Sequence, residues 1–303
     1  MQKLLKREKS GVSDFDADVA RTIVKNKRYK EETENDQFDD EPGGPKTSKK
    51  SRKRQLSHEN SLRKQAIKDY HKQNEKEKSC YYCFSNKKIP KHLIMSLGNT
   101  TYLMLPPKPL CEGHAWIVPL LHHTGGMVSM EEDVWEEVEK FMKCLTKMNY
   151  KQKKGTVFFE TVVHLKSEPH SIIECVPLSE AEAANGPIYF KKAILEEGSH
   201  WAQHAKLIDT TGKGIRKSIP PHQFPYFYVQ FGMTQGMAHI IEKEHKFKSS
   251  FGLEVLAGIT DNDSYFTEGR QSRSKLDEIE STKSFLKNWM PFDWTTELDG
   301  GEI

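Results

Sequence analysis

The apolar positions of this chain form short runs that alternate with turn residues. Residues 93–98, 101–106 and 114–121 are three such runs, and Gly, Asn and Pro separate them; a fourth run covers 156–163. Short apolar runs bounded by these residues are typical of antiparallel strands. The pattern therefore predicts a sheet built from consecutive segments of the chain, with a further strand that opens at His170.

One segment between these strands has the spacing of a helix. Its apolar residues recur three and four positions apart, and Ser129 and Glu132 have the spacing of a capping box. We therefore predict a helix that begins near Ser129 and packs against the sheet, which gives an α+β fold over residues 79–178. The apolar positions of this helix are Val134, Val138, Phe141, Met142, Leu145 and Met148.

A second, smaller α+β domain is predicted at 188–295, after a linker at 177–187 that is marked by Gly, Asn and Pro. Its predicted elements are a helix at 189–207, an aromatic strand at 224–232, a further helix around 236–244 and a charged helix that ends in aromatic residues at 285–294.

Residues 1–78 form a charged arm with few apolar positions. An acidic block at 31–41 precedes the basic run KKSRKR at 49–54, so the net charge of +3 hides a strong segregation of charge. Such blocks are typical of solvated segments. We predict an arm that is largely disordered or exposed-helical, with a helix over 56–78. The basic run favours a nuclear import signal or a nucleic-acid contact, and a merely solubilising stretch is the alternative.

Charge and cysteine content narrow the class of protein. Charged residues make up 29% of the chain, and no apolar stretch approaches the length of a membrane span. Five cysteines in a large, lysine-rich chain do not resemble a disulfide framework. An intracellular, reducing setting follows, in which paired cysteines are suited to metal binding or redox chemistry.

The pair Cys80 and Cys83 has the C-x-x-C spacing, which is a weak signal by itself. A redox pair is expected at the start of a helix that follows a strand, whereas here strands follow the pair. A zinc site needs two further soft or borderline ligands. The histidines at predicted strand ends, His122, His123 and His170, are the candidates for these positions.

Two stretches resemble a known superfamily. GHAWIVPLLHH is similar to a strand of histidine-triad proteins, and HSIIECVP occupies the place of their histidine signature. The galactose-1-phosphate uridylyltransferase branch of that superfamily binds zinc through a C-x-x-C pair, a mid-chain histidine and the first signature histidine. The resemblance thus implies a histidine-triad-like antiparallel sheet with a flanking helix, and a zinc site at Cys80, Cys83, His122 (or its neighbour His123) and His170.

The signature lacks its nucleophile. The middle histidine, which attacks phosphorus in histidine-triad enzymes, is replaced by Ile172, and the third histidine is replaced by Glu174. An isoleucine has no lone pair for covalent transfer, and a carboxylate repels phosphate. The sequence therefore predicts a pseudoenzyme, and a zinc-bearing nucleotide hydrolase or lariat-debranching accessory enzyme is the alternative.

The second segment is similar to the CwfJ family. GKGIRKSIPPHQFPYFYVQFG and the following GMAHIIE and FGLEVLAGI resemble its second C-terminal domain, and the chain from about residue 56 resembles the Cwf-nineteen-like splicing factors, notably their second animal paralogue. The resemblance implies a nuclear protein of pre-mRNA splicing, present in late spliceosome or intron-lariat complexes. It implies spliceosomal proteins, RNA (intron lariat or snRNA) and the lariat-debranching machinery as partners.

The loop at 209–221 suits RNA phosphates, because Lys213, Arg216 and Lys217 lie beside two glycines. A solvated hairpin is the alternative, and the loop lacks the spacing of a nucleotide-binding phosphate loop. Of the aromatic residues at 224–231, only Tyr226 and Tyr228 are candidates for base stacking, and a core role is favoured for the set.

Overall fold

The computed structural model describes residues 49–197, 203–221, 224–262, 264–267 and 274–299, to which every structural statement below refers. The predicted disorder at 1–45, including the acidic block, lies outside these residues. Among the described helices, none is both long and apolar enough to cross a membrane.

The chain divides into two compact units, Met1–Ser79 and Cys80–Ile303. The described part of the first unit is helix α1 (Lys49–Ser79). This helix confirms the prediction of a helix over 56–78 and begins earlier, so that the basic run at 49–54 is helical.

The second unit is built on one antiparallel sheet of eight strands in the order β1-β2-β3-β5-β4-β7-β8-β6. Together with the helices, this sheet confirms the predicted α+β class and the strands predicted at 93–98, 101–106, 114–121, 156–163 and 224–232. The strands are β1 (Ile94–Leu97), β2 (Thr101–Met104), β3 (Ala115–Pro119), β4 (Lys154–Val162), β5 (Ile173–Ser179), β6 (Ile208–Asp209), β7 (Tyr226–Phe231) and β8 (Gln235–Ile240).

Helices cover both faces of the sheet, because successive strand residues point to opposite faces and both sets are apolar. Phe158 packs in the core under α2 and α6, whereas its neighbour Phe159 packs in the core under α3 and α4. The predicted apolar positions of α2 are buried, except for the half-buried Val134. The helices of this unit are α2 (Glu132–Lys151), α3 (Glu180–Glu197), α4 (Phe251–Ile259), α5 (Ser264–Thr267) and α6 (Lys275–Trp289).

Strand β4 joins the strands of the two predicted domains. It pairs with β5 on one side and with β7 on the other, and the β7 pairing runs from Val157↔Phe231 to Val162↔Tyr226. The strands of the segment at 188–295 therefore continue the sheet of the segment at 79–178. The division into two domains remains a prediction.

The predicted capping box of α2 is wrong. The helix begins at Glu132 after the N-cap residue Glu131, whose side chain makes no capping hydrogen bond. Ser129 lies in a preceding 3₁₀ turn, where its Oγ donates to the carbonyl oxygens of Thr124 and Gly126. The hydroxyl thus closes its own turn, so that it does not reach the first turn of α2.

The predicted linker at 177–187 is also wrong, because β5 continues to Ser179 and α3 begins at Glu180. The Ser179 N–H donates to Glu182 Oε2 at 2.8 Å, and the Glu182 N–H donates to Ser179 Oγ at 3.3 Å. This is the reciprocal arrangement of a capping box, and its S-x-x-E spacing is present in the sequence.

The segment predicted as a helix around 236–244 is strand β8. Both faces of this strand are buried from Gly236 to Ile240, so its apolar run has no alternation that would distinguish a strand from a helix. The three-residue connection from Phe231 to Gln235 includes Gly232 at φ +58 and is the hairpin signal that identifies the strand.

Candidate metal centre and neighbouring sites

Cys80 and Cys83 lie in a turn that directly follows α1. The side-chain amide of Asn86 donates to the Cys80 carbonyl at 2.8 Å, and its backbone N–H donates to the Cys83 carbonyl at 3.0 Å. Asn86 thus folds the chain around the two cysteines and holds them in one compact turn.

The two partner histidines come from neighbouring strands. His122 follows the end of β3 and His170 precedes the start of β5, and these strands pair antiparallel. The sequence predicts that His170 opens the strand, but the strand begins three residues later, at Ile173. The reason is that the segment before it turns, with Glu168 at φ +52, and the Ser171 N–H donates to the His123 carbonyl.

Four side chains converge at this point, and their donor atoms all lie within 4.8 Å of one another. Cys80 Sγ lies 3.5 Å from His170 Nδ1. Cys83 Sγ lies 3.3 Å from His122 Nδ1 and 3.4 Å from His170 Nδ1. Cys83 and His170 are buried, while Cys80 and His122 are partly exposed.

Backbone carbonyls orient both imidazole rings. His122 Nε2 donates to the carbonyl oxygen of Glu168 at 3.0 Å, and His170 Nε2 donates to that of Pro119 at 3.0 Å. A carbonyl oxygen only accepts, so the proton of each neutral ring lies on Nε2. The Nδ1 lone pair of each ring is therefore directed at the cysteine sulfurs.

His123 has a different position from its neighbour His122. Its Nε2 donates to the Ser129 carbonyl at 3.1 Å, and its Nδ1 accepts from Ser171 Oγ at 3.1 Å. Ser171 Oγ in turn accepts from the Gly126 N–H at 2.9 Å. Of the two candidates, His122 is thus the one with a nitrogen in the cluster, and His123 connects the two segments that carry the histidines.

The surroundings of Cys80 favour a thiolate. Hydrogen bonding to Cys83, and then to His122 and His170, lowers the pKa of the Cys80 thiol to about 2 against the opposing effect of burial. Burial raises the pKa of the three cysteines outside the cluster, namely Cys111, Cys144 and Cys175. A thiolate is the form in which cysteine binds a metal.

The donor set fits Zn²⁺. A tetrahedral zinc ion with sulfur at about 2.3 Å and nitrogen at about 2.0–2.1 Å separates these two ligand atoms by about 3.6 Å. The sulfur–nitrogen distances of 3.3–3.5 Å are close to this value. Two sulfurs, two imidazole nitrogens and fixed outer hydrogen bonds are typical of a structural zinc site.

We expect Ser171→Ala to weaken zinc binding by about 10-fold at most, less than the loss of a hydrogen bond to a ligand itself, because Ser171 bonds to His123 and Gly126 and acts on the ligands His122 and His170 only through the backbone. The change leaves His123 Nδ1 and the Gly126 N–H without their shared partner. Chelator competition measures the affinity, and the absorption spectrum of the Co²⁺ form reports ligand geometry. Ser167→Ala, whose exposed hydroxyl bonds only to the His164 carbonyl, is the matched control. Equal zinc affinity in both variants would contradict the expectation.

Ile172 and Glu174 stand at the two positions where the resemblance to histidine-triad proteins implies a change of residue. Ile172 is half-buried against the apolar core. The Glu174 carboxylate accepts from His114 Nε2 at 3.0 Å and from Trp116 Nε1 at 3.1 Å. Since His114 Nδ1 accepts from the Leu110 N–H, the ring proton is fixed on Nε2. Glu174 therefore accepts hydrogen bonds from Trp116 in β3 and from His114, which directly precedes β3.

A cavity of about 750 Å³ adjoins His114. Its apolar lining residues include Leu93, Leu105 and Phe285. Its walls carry four carboxylates and a single lysine, namely Glu112, Asp277, Glu278, Glu280 and Lys154. This balance of charge disfavours a nucleotide phosphate.

The three predicted RNA-contacting cations differ in their surroundings. Lys213 and Lys217 are exposed. Arg216 donates to Glu132 Oε2 at 2.8 Å and to the Met130 carbonyl at 2.9 Å. Its guanidinium also lies 5.5 Å from the centre of the Trp135 ring. Arg216 thus attaches the loop to the start of α2, whereas the two lysines project from it.

The aromatic strand belongs to the core. Tyr226 and Tyr228 are 0% and 2% exposed, so neither presents a face for base stacking and the core interpretation is confirmed. The Tyr226 hydroxyl donates to the buried Glu160 at 2.6 Å, and the Met127 N–H donates to the same carboxylate at 2.9 Å. Burial raises the pKa of Glu160 to about 7 in spite of these hydrogen bonds.

Comparisons with known proteins place these features in a family. A mouse protein named CWF19-like protein 2 is 41% identical over 238 residues, which cover 78% of this chain and 27% of the mouse protein. A Schizosaccharomyces pombe protein named pre-mRNA-splicing factor cwf19 is 32% identical over 173 residues, which cover 55% of this chain and 27% of that protein. The chain thus spans about a quarter of the length of these relatives.

Among solved structures, a zinc-bound histidine triad family protein from Mycobacterium smegmatis matches 34% of this chain and 78% of its own, with 12% identity and a TM-score of 0.28. Two family models match in succession. Residues 67–191 match the model described as protein similar to CwfJ C-terminal, and residues 200–295 match that described as protein similar to CwfJ C-terminus 2. Together they match well over half of the chain, which therefore belongs to the CwfJ family.

Proposed function

We propose that this chain is a non-catalytic, zinc-stabilised and RNA-binding portion of a nuclear pre-mRNA splicing factor. It acts in late spliceosome or intron-lariat complexes, beside spliceosomal proteins and the lariat-debranching machinery. The membership of the CwfJ family and the similarity to the fission yeast pre-mRNA-splicing factor cwf19 support a role in splicing. The observation that carries the proposal is a complete donor set for zinc beside a strand that has lost its nucleophile.

The zinc ion would be held by Cys80, Cys83, His122 and His170. It would join the turn after α1 to the end of β3 and the start of β5. With four protein donors, the site leaves no open position for substrate, which is the arrangement of structural rather than catalytic zinc. The ion would thus stabilise the fold without taking part in a reaction.

The absence of catalysis is supported by the side chains at the signature positions. Ile172 offers no atom that can attack phosphorus, and Glu174 is held by His114 and Trp116. The alternative, a nucleotide hydrolase or a debranching accessory enzyme, requires another nucleophile in the same region. Turnover of a dinucleoside polyphosphate or of branched RNA that Glu174→Gln abolishes would establish the alternative.

RNA binding is supported by the form of the loop at 209–221. Gly212 and Gly214 have φ values of +73 and +72, and a side chain added at either position would contact nothing within 4 Å. The backbone on both sides of Lys213 is therefore open to an approaching phosphate chain, and the exposed Lys217 ends the 3₁₀ turn that follows.

We expect the double variant Lys213→Ala/Lys217→Ala to bind RNA more weakly and with a smaller dependence on salt. Each lost phosphate contact on a single strand changes the slope of log affinity against log salt by about 0.7, so a change of about 1.4 is the upper limit. Fluorescence anisotropy with a labelled 20-nucleotide oligouridylate measures the slope. The control is Lys191→Ala/Lys192→Ala, which removes two exposed lysines from α3.

Equal binding by the two variants at every salt concentration would contradict the role of the loop. A wild-type chain that binds no RNA would instead establish a pure protein-assembly platform. Crosslinking of the chain to RNA in nuclear extract, mapped to lariat or linear intron, would test the stage of splicing at which it acts.

A further inference from the structure

A row of four lysines follows one side of α1. Lys64, Lys68, Lys72 and Lys76 succeed each other at intervals of four residues, so that each is a surface neighbour of the next and the row turns by about 40° around the helix at each step. The first three are exposed and the fourth is partly exposed. We call this set the lysine row. Its members rise along the helix axis by about 6 Å at each step, because each residue of an α-helix rises about 1.5 Å.

The rest of the helix shows that its two sides differ. Leu62, Ala66 and Tyr70 also follow each other at intervals of four, and they are partly exposed, buried and partly exposed, respectively. Ala66 is only 5% exposed. The lysine row therefore lies on a more exposed side of α1 than Leu62, Ala66 and Tyr70 do.

Acidic residues close to the lysine row neutralise its positive charge only in part. Asp69 and Glu75 each lie three residues from Lys72 and are the only acids at that spacing from a row lysine. The other residues three positions from a row lysine are Ser61, Gln65, Ile67, His71, Gln73 and Ser79. The row therefore keeps a net positive charge.

The arrangement is unfavourable for the isolated helix. Lysines four residues apart repel each other, and the row contains three such pairs. Burial, and then the charge of Lys72, lowers the pKa of Lys76. The first turn of α1 carries no acid and belongs to the basic run at 49–54, although the N-terminus of a helix already has a partial positive charge. An anionic partner with regularly spaced charges along the row would relieve the repulsion between its lysines.

We propose that the lysine row is a binding site for the phosphodiester backbone of single-stranded RNA. This inference rests on the proposed RNA-binding function and assigns a second contact surface to it. The step along the row is comparable with the separation of consecutive phosphates in an extended strand. Lysine is a point charge that contacts phosphates without reading bases, so the row positions RNA independently of its sequence.

The test compares two charge-matched variants of the full chain. The row variant is Lys64→Gln/Lys68→Gln/Lys72→Gln, and the control is Arg63→Gln/Lys78→Gln/Lys191→Gln, which removes three exposed cations outside the row. Glutamine has about the same helix propensity as lysine, and circular dichroism verifies that the helix content is unchanged. The probe is a labelled 20-nucleotide oligouridylate, titrated between 0.1 and 1 M KCl, values chosen to span about one decade of salt.

We expect the row variant to lose about 2 units of salt slope relative to the control, since each lost contact with a single strand contributes about 0.7. This corresponds to an affinity for RNA that is on the order of 100-fold lower in the row variant than in the control at the lowest salt concentration. At the highest salt concentration the two affinities should be equal. Equal slopes in the row variant and the control would overturn the inference.

Two comparisons separate this inference from the proposed function. If the Lys213/Lys217 variant weakens RNA binding and the row variant does not, the proposed function stands and the row has no part in it. The second comparison uses polyglutamate as a competitor of the labelled RNA. If polyglutamate displaces RNA from the wild-type chain as effectively as unlabelled oligouridylate does, and if the row variant loses affinity for polyglutamate but not for RNA, the row binds an acidic protein. The inference then fails. A wild-type chain that binds no oligouridylate overturns both.

Discussion

Replacing Cys83 by Ser is expected to remove the metal and to lower the free energy of unfolding of the second unit by more than about 4 kcal/mol. The reason is that the binding free energy of structural zinc, which reaches about 10–16 kcal/mol in small domains, adds to the free energy of folding. Cys83 is the buried sulfur of the cluster and lies within 3.4 Å of both histidine nitrogens. Elemental analysis gives the zinc content, and urea denaturation gives the free energy of unfolding.

Cys144→Ser is the matched control, because Cys144 is a half-buried cysteine of α2 that lies outside the cluster. The control should retain one zinc per chain and lose about 1 kcal/mol or less, as is usual for a mild substitution. Prolonged chelation of the wild-type chain should reproduce the loss seen in Cys83→Ser. A wild-type chain that is purified without zinc and unfolds at the same urea concentration under chelation would contradict the metal site.

A second large effect is expected from the buried carboxyl group of Glu160, whose pKa burial raises from 4.5 to about 7. A group that binds its proton more tightly in the folded state makes folding less favourable as pH rises from its unfolded pKa to its folded pKa. Glu160→Gln cannot ionise, and its amide oxygen can still accept from the Tyr226 hydroxyl. We therefore expect the stability of the variant relative to wild type to rise by about 2 kcal/mol between about pH 5.5 and pH 7.5.

Urea denaturation at several pH values, with zinc present in excess, measures this difference. The control is Glu196→Gln, which replaces an exposed carboxylate of α3. Its stability should differ from that of wild type by a small and nearly constant amount over the same range. Parallel curves for Glu160→Gln and wild type would show that Glu160 is ionised in the folded state throughout this range.

The sequence predicts the strands and α2 because their signals are local. The apolar positions of α2 from Val138 to Met148 recur at the helical period, and they are buried as that period requires. In contrast, β8 is buried on both faces, so its apolar run carries neither period and is wrongly predicted as a helix. The short connection with Gly232 is the one local signal of a strand here, and the pairing of β8 with β7 and β6 is a property of the fold.

The four cluster residues are predicted from residue type and from the resemblance to histidine-triad proteins, but the sequence leaves open whether His122 or His123 faces the cysteines. That choice depends on the Glu168 carbonyl, which binds His122, and on the Ser129 carbonyl, which binds His123, and a backbone group leaves no trace in the sequence. The sequence does not indicate the role of Glu137 for a similar reason. This buried carboxylate of α2 accepts from three backbone N–H groups of the β1–β2 turn, whereas its position in the sequence reads as polar surface.

The pairing of β4 with both β5 and β7 has a consequence for how the family is divided. Two separate family models match residues 67–191 and 200–295. The pairing of β4 with β7 nevertheless connects these two segments along six consecutive residue pairs. A cut between them would turn an interior strand into a long, apolar, unpaired edge, which is the kind of surface that recruits other chains into aggregates. In this chain, each half therefore covers the strand edge that the other half would otherwise expose.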